Sequence, residues 1–138
     1  MCKKAIDDKS ALNTFAKLVE AQGGDSSYIY HPEKFELGKF KTQVTLDREG
    51  YITKIDALSI GNAAMIIGAG REKKSDSIDH SVGIVLTKKV GDYVNKGEVV
   101  ATIYANKKDI TQTINMTKNA FVVGKEAVVP QLIIKSVR

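Results

Sequence analysis

Cysteine is almost missing: Cys2 stands alone among 138 residues and has no partner for an intrachain disulfide. That excludes a disulfide scaffold and favours a reducing, cytoplasmic setting. No apolar run approaches the roughly 20 residues of a membrane span. The opening Met1-Cys2-Lys3-Lys4 leads into Asp7 and Asp8, not an apolar signal segment. Two histidines and one cysteine lie far apart without ligand spacing, so no metal is expected and no cofactor is implied. Only five tyrosines and four phenylalanines are available to stack on bases. The net charge of +5 is carried by scattered lysine doublets with acidic residues between most of them, which reads as a solvated basic surface. Neither a nucleic-acid nor a membrane partner is expected.

What is present is an ordinary globular balance, 43% hydrophobic and 27% charged. Ala5, Leu12, Phe15, Ala16, Leu18 and Val19 recur near a 3.6-residue spacing and predict one helix, stopped by Gly23-Gly24. A polar connection follows, containing His31 with no obvious partner. From Thr42 the period is two, and 42–46, 47–50 and 51–55 read as strand, tight turn and strand. Ser59 caps a predicted helix with Ile60, Ala63, Ala64 and Ile67 on one face, ended by Gly68 or Gly70. Val82–Leu86 and Val99–Tyr104 are continuous apolar runs and read as strands buried on both faces. A helix over 109–118, with Ile110, Ile114 and Thr117 inward, precedes strands over 120–123 and 127–134, the last marked by Pro130 as edge or bulged. Strands interrupted by a few helices argue for an α+β fold.

Three short constellations bear on chemistry. Gly68-Ala69-Gly70-Arg71 resembles a phosphate cradle, but its glycines follow a helix where a dinucleotide fingerprint opens one, and no Gly-Lys-Ser/Thr ending is present. Asp79-His80-Ser81 sets an acid, an imidazole and a hydroxyl side by side, yet neighbours on an extended chain point in different directions. A hydrogen-bonded structural histidine ahead of a buried strand is the expectation there. The stretch Lys89-Val90-Gly91-Asp92-Tyr93-Val94-Asn95-Lys96-Gly97-Glu98 resembles the turn of biotinyl and lipoyl domains, with Gly91 and Gly97 supplying the turn geometry. Ala63-Ala64-Met65-Ile66 lacks the lysine that carries the modification in those domains.

Taken in order, 21–25 ("AQGGD"), 50–52 ("GYI"), 61–71 ("GNAAMIIGAGR"), 78–85 ("IDHSVGIV"), 88–98 ("KKVGDYVNKGE") and 101–106 ("ATIYAN") resemble the C-terminal part of pyrimidine-nucleoside phosphorylases of the thymidine phosphorylase type. The resemblance implies an α/β-hammerhead related to the barrel-sandwich hybrid, with an N-terminal helix. It assigns 1–25 to a helix belonging to or packing on the parent's larger domain, 26–41 to a connecting loop and 42–138 to the hammerhead domain. It further implies a homodimeric parent that splits a pyrimidine nucleoside with inorganic phosphate as co-substrate, releasing free base and pentose 1-phosphate. The family's phosphate loop and base-reading residues have no counterpart in this sequence. No catalytic or substrate-binding residue is therefore assigned, and the isolated chain is expected to be inactive. Arg71, Lys73, Asp79 and His80 are the candidate residues for an interface with the parent's other domains. The alternative is a stand-alone biotinyl/lipoyl-like docking module without an attachment lysine.

Overall fold

The computed structural model describes residues 2–71, 73–126, 129–131 and 133–135. The chain divides into two compact units, Met1–Glu36 and Leu37–Arg138.

In the first unit the expected single helix is two, α1 (Cys2–Asp7) and α2 (Ser10–Ala21). The break falls at Lys9, whose φ is +61°. Asp8 causes it, because its carboxylate accepts the Ser10 N–H at 2.9 Å and offers the backbone a turn in place of a helical bond. The predicted stop is in place: Gly24 N–H donates to Val19 O and Gly23 N–H to Glu20 O, the paired closure of a Schellman motif. The connection expected as a loop holds a short helix, α3 (Ser27–Tyr30), and a 3-10 turn at Pro32–Lys34. Tyr28 and Phe35 stack there at 4.8 Å, and His31 does have a partner, Glu33, at 3.0 Å. Phe15 and Leu18 on α2 remain about half exposed.

The second unit is mixed α and β, with every strand pairing antiparallel. β1 (Phe40–Thr45) and β2 (Gly50–Ile55) are not the expected hairpin. β1 pairs with β5 (Val99–Ala105), which also pairs with β3 (Gly83–Leu86), giving a sheet ordered β1-β5-β3. β2 sits in a second sheet between β4 (Tyr93–Val94) and β6 (Phe121–Gly124). The turn at 47–49 thus carries the chain from one sheet to the other. Apolar residues from both sheets, including Val44, Ile52, Val94, Val100, Ile103 and Phe121, form one core cluster.

β5 is buried along nearly its whole length, as expected of a central strand. β3 is not buried on both faces: it lies at a sheet edge, and Val85 and Leu86 are 53% and 39% exposed. A continuous apolar run cannot distinguish the two positions, since edge and centre differ only in what pairs with them. Helix α4 (Ala57–Ala64) is capped by Asp56, not Ser59. Asp56 accepts from Leu58 N–H at 3.2 Å, and Ser59 acts one step back, donating its hydroxyl to Asp56 at 2.7 Å. The Ser59 hydroxyl is also the main reason the Asp56 carboxyl lies below its usual range. α4 continues into a wider π turn over Met65–Ala69 that ends where Gly68 takes φ +106°. Helix α5 (Thr111–Asn119) buries Thr113 and Thr117. Of the strand expected over 127–134, residues 127, 128 and 132 lie outside the described residues, and the others form no strand. No helix among the described residues is long and apolar enough to cross a membrane.

The carrier-like turn is held by Glu98. Its carboxylate accepts Asn95 N–H at 2.8 Å and Asn95 Nδ2 at 3.1 Å, and it pairs with Lys88 Nζ. The Asn95 backbone bond, followed by the Lys88 contact, lowers the Glu98 carboxyl from 4.5 to about 2. A carboxyl with a depressed folded-state pKa stabilises the fold at pH values above its unfolded pKa and loses that contribution as pH falls through the folded value. Urea melts between pH 5 and pH 2 should therefore show stability falling with acid, and Glu98→Gln should flatten that part of the curve. A variant curve as steep as the original would remove Glu98 as its source.

Candidate functional site

The four candidate residues lie between the end of α4 and the start of β3, where the chain returns from the π turn to the sheet. The return is pinned at Asp79, whose N–H donates to Gly68 O at 2.9 Å. One Asp79 oxygen accepts the Ser81 N–H at 3.0 Å and the Ser81 hydroxyl at 2.6 Å. The other accepts Asn106 Nδ2 at 2.8 Å, and Asn106 also donates to Ser81 Oγ at 2.9 Å. The network reaches one more segment: Asn106 Oδ1 accepts Lys39 N–H at 3.0 Å, and Ser81 O accepts Gly38 N–H at 2.6 Å. Four distant stretches, at 38–39, 68, 79–81 and 106, thus share one hydrogen-bonded network, in which Ser81 and Asn106 bond the Asp79 carboxylate itself.

The electrostatics follow from that bonding. The Ser81 hydroxyl first, then Asn106 and the Ser81 amide, hold the Asp79 carboxyl below its usual range, with a small further contribution from His80. A carboxylate so saturated with donors is a weak base and a strong tie. His80 does not play the expected hydrogen-bonded part: it is exposed and makes no hydrogen bond among the described residues, so Asp79, His80 and Ser81 form no relay. Arg71 and Lys73 are also exposed, and their side chains form no ion pair among the described residues. Lys73 closes a turn through its backbone, its N–H donating to Asp76 at 2.7 Å. A recess of about 270 Å³ shares Gly68 with this region and includes Lys107, whose ammonium lies 3.4 Å from Ile66 O. The structure thus brings Asp79 into a built network and leaves Arg71, Lys73 and His80 exposed and outside it.

Sequence reasoning missed Ser81 as a bonded partner, and it missed Asn106 and Lys39 altogether. Ser81 and Asn106 fall inside two of the segments that carry the family resemblance, 78–85 and 101–106, and that was the available signal. Local pattern could not pair them, because their contact depends on β3 lying beside β5. Among the described residues no three His, Cys, Asp or Glu side chains are grouped to hold a metal ion.

Comparison with known proteins bears on this geometry. A family model described as the pyrimidine nucleoside phosphorylase C-terminal domain matches residues 51–124. A pyrimidine-nucleoside phosphorylase of Staphylococcus epidermidis is 43% identical over 131 residues, which is 95% of this chain and 30% of that protein. One from Geobacillus stearothermophilus is 46% identical over 110 residues, 80% of this chain and 25% of its own length. One from Staphylococcus aureus is 38% identical over 132 residues, 96% of this chain and 30% of its own. The chain therefore spans between 25% and 30% of the length of these relatives.

Proposed function

The chain belongs to the pyrimidine nucleoside phosphorylase C-terminal domain family, and from that premise we propose that it braces and helps close a pyrimidine-nucleoside phosphorylase. In the proposed parent, a phosphate oxygen bonds to the anomeric carbon of a pyrimidine nucleoside as the glycosidic C–N bond breaks, giving pentose 1-phosphate and the free base. Phosphate is the co-substrate, and no other cofactor is invoked. The match over 51–124, running unbroken from β2 to β6, carries this reading. It also disfavours the stand-alone docking module, since the carrier-like turn lies within the matched span.

This chain's part in the reaction is mechanical. Charge stabilisation at a transferring group needs preorganised donors aimed at it, and the Asp79 network spends its donors internally. The chain alone is therefore inactive. Closure excludes water and aligns the attacking phosphate, and a rigid module at the closing face serves that. Arg71, Lys73, Asp79 and His80 form its contact with the remaining domains; the exposure of Arg71, Lys73 and His80, on a connection whose return end is fixed at Asp79, supports this. Residues 1–25 pack on the parent's larger domain, for which half-exposed Phe15 and Leu18 supply an apolar face, while 26–41 connect and 42–138 form an α/β-hammerhead. Two antiparallel sheets exchanging consecutive strands, with α4 inserted between β2 and β3, are consistent with that fold. A cytoplasmic homodimer is the proposed form of the parent.

Reconstitution tests the reading. The Staphylococcus epidermidis relative, truncated of its matching 131 residues, should be inactive in uridine phosphorolysis and regain activity when this chain is added. Turnover by the chain alone would overturn the assignment of chemistry to the other domains.

A further inference from the structure

The Asp79 network does more than close a loop, and the inference drawn from it rests on the bracing role just proposed. The connection from Gly70 to His80 displays Arg71, Lys73 and His80, and its return end is fixed at Asp79 through Gly68, Ser81 and Asn106. The same residues grip Gly38 and Lys39, the first residues of the second unit beyond Leu37: the Ser81 backbone carbonyl accepts the Gly38 N–H and the Asn106 side chain the Lys39 N–H. Gly38 is fitted to this place: an added Cβ would lie 2.6 Å from Ala105 N, so the chain runs against the end of β5 with no side chain between. One hydrogen-bonded point thus sets both the stretch that leads into β1 and the loop that bears the candidate interface.

We propose that Asp79, Ser81 and Asn106 are positioning residues of the phosphorylase: by fixing the loop against the start of β1, they hold its cations in the arrangement the other domains meet on closure. None of the three is asked to touch substrate. What matters is the donor–acceptor order, with Asp79 accepting on both oxygens and Asn106 donating to it. An amide at 79 can accept on one side only, and a carboxylate at 106 would face another carboxylate. Exchanging the two, Asp79→Asn with Asn106→Asp, restores one donor and one acceptor at that contact.

The test uses two readouts. In this chain, trypsin cleavage after Arg71, Lys73 and Lys74 reports how firmly the loop is held. Each single substitution should accelerate it roughly tenfold by local opening, with the double exchange returning it close to the original rate. Thermal melts of the same proteins separate local from global loosening. In a chimera of the Staphylococcus epidermidis relative carrying this chain in place of its matching segment, each single substitution should lower kcat roughly tenfold with KM for phosphate unchanged, and the double exchange should recover it. Unchanged cleavage in the single variants would overturn the proposal, and so would altered cleavage with unchanged kcat. A folded but inactive unsubstituted chimera, beside an active relative, would instead overturn the functional reading beneath it.

Discussion

Phe121→Ala is expected to cost about 3–5 kcal/mol of folding stability, the largest loss from any single truncation in the second unit. Phe121 is fully buried, heads the largest wholly buried side chains and stands opposite Ile55 on β2. It belongs to the core cluster to which both sheets contribute. Removing it deletes apolar contact and leaves a cavity that pinned strands cannot collapse to fill. The Phe121 carbonyl also accepts Arg48 Nη2 at 3.1 Å, a bond the alanine backbone can keep, so the loss isolates the ring. Set against a total of about 5–15 kcal/mol for ordinary domains, the variant should sit near the edge of folding. Urea denaturation measures it, with Phe121→Leu as the milder comparison. A loss under roughly 1 kcal/mol would mean that the ring is not part of the packed core.

Gly38→Ala is the second, at about 1–3 kcal/mol, and its cause is collision. The added Cβ would stand 2.6 Å from Ala105 N and 3.0 Å from its C and O, all backbone of a central strand that cannot swing aside. Gly38 cannot retreat either, because its N–H is bonded to Ser81 O and its neighbour Lys39 to Asn106. Unlike the core truncation, this change should disturb the Asp79 network directly, moving the amide resonances of Ser81 and Asn106. Gly61 is the internal control. It lies within α4 with nothing within 4 Å of an added Cβ, so alanine there should be neutral or stabilise by about 0.5–1 kcal/mol. Equal destabilisation at both positions would defeat the collision argument.

Periodicity places most elements. The helix at α2, the strands at β2 and β5 and the helix at α5 are where apolar spacing puts them, because that spacing records which face each segment buries. It cannot say which strands pair. Thr42–Leu46 and Tyr51–Ile55 around a short turn carry every local mark of a hairpin, and only the competition of β5 for β1 and β6 for β2 separates them. Small side-chain choices are also beyond its reach: Asp8 breaking the first helix and Asp56 displacing Ser59 as cap both turn on which nearby amide a carboxylate reaches. The candidate site is half legible. Asp79 stands out in the sequence beside His80, but its true partners, Ser81 and Asn106, require the sheet to be assembled first.

The passage of the chain from one sheet to the other at 47–49 has a bearing on how the molecule is made. Among the described residues β1 pairs only with β5, and β2 pairs with β6 from Tyr51 to Ile55. During synthesis neither early strand has its main partner when it leaves the ribosome, and the second sheet stays open until residues 121–124 emerge. Such pairing between segments far apart in sequence delays folding, because each closure must first overcome the entropy of a long loop. The first sheet consequently has all its strands once residue 105 has emerged, whereas the second is completed only by β6, so the two sheets mature in that order.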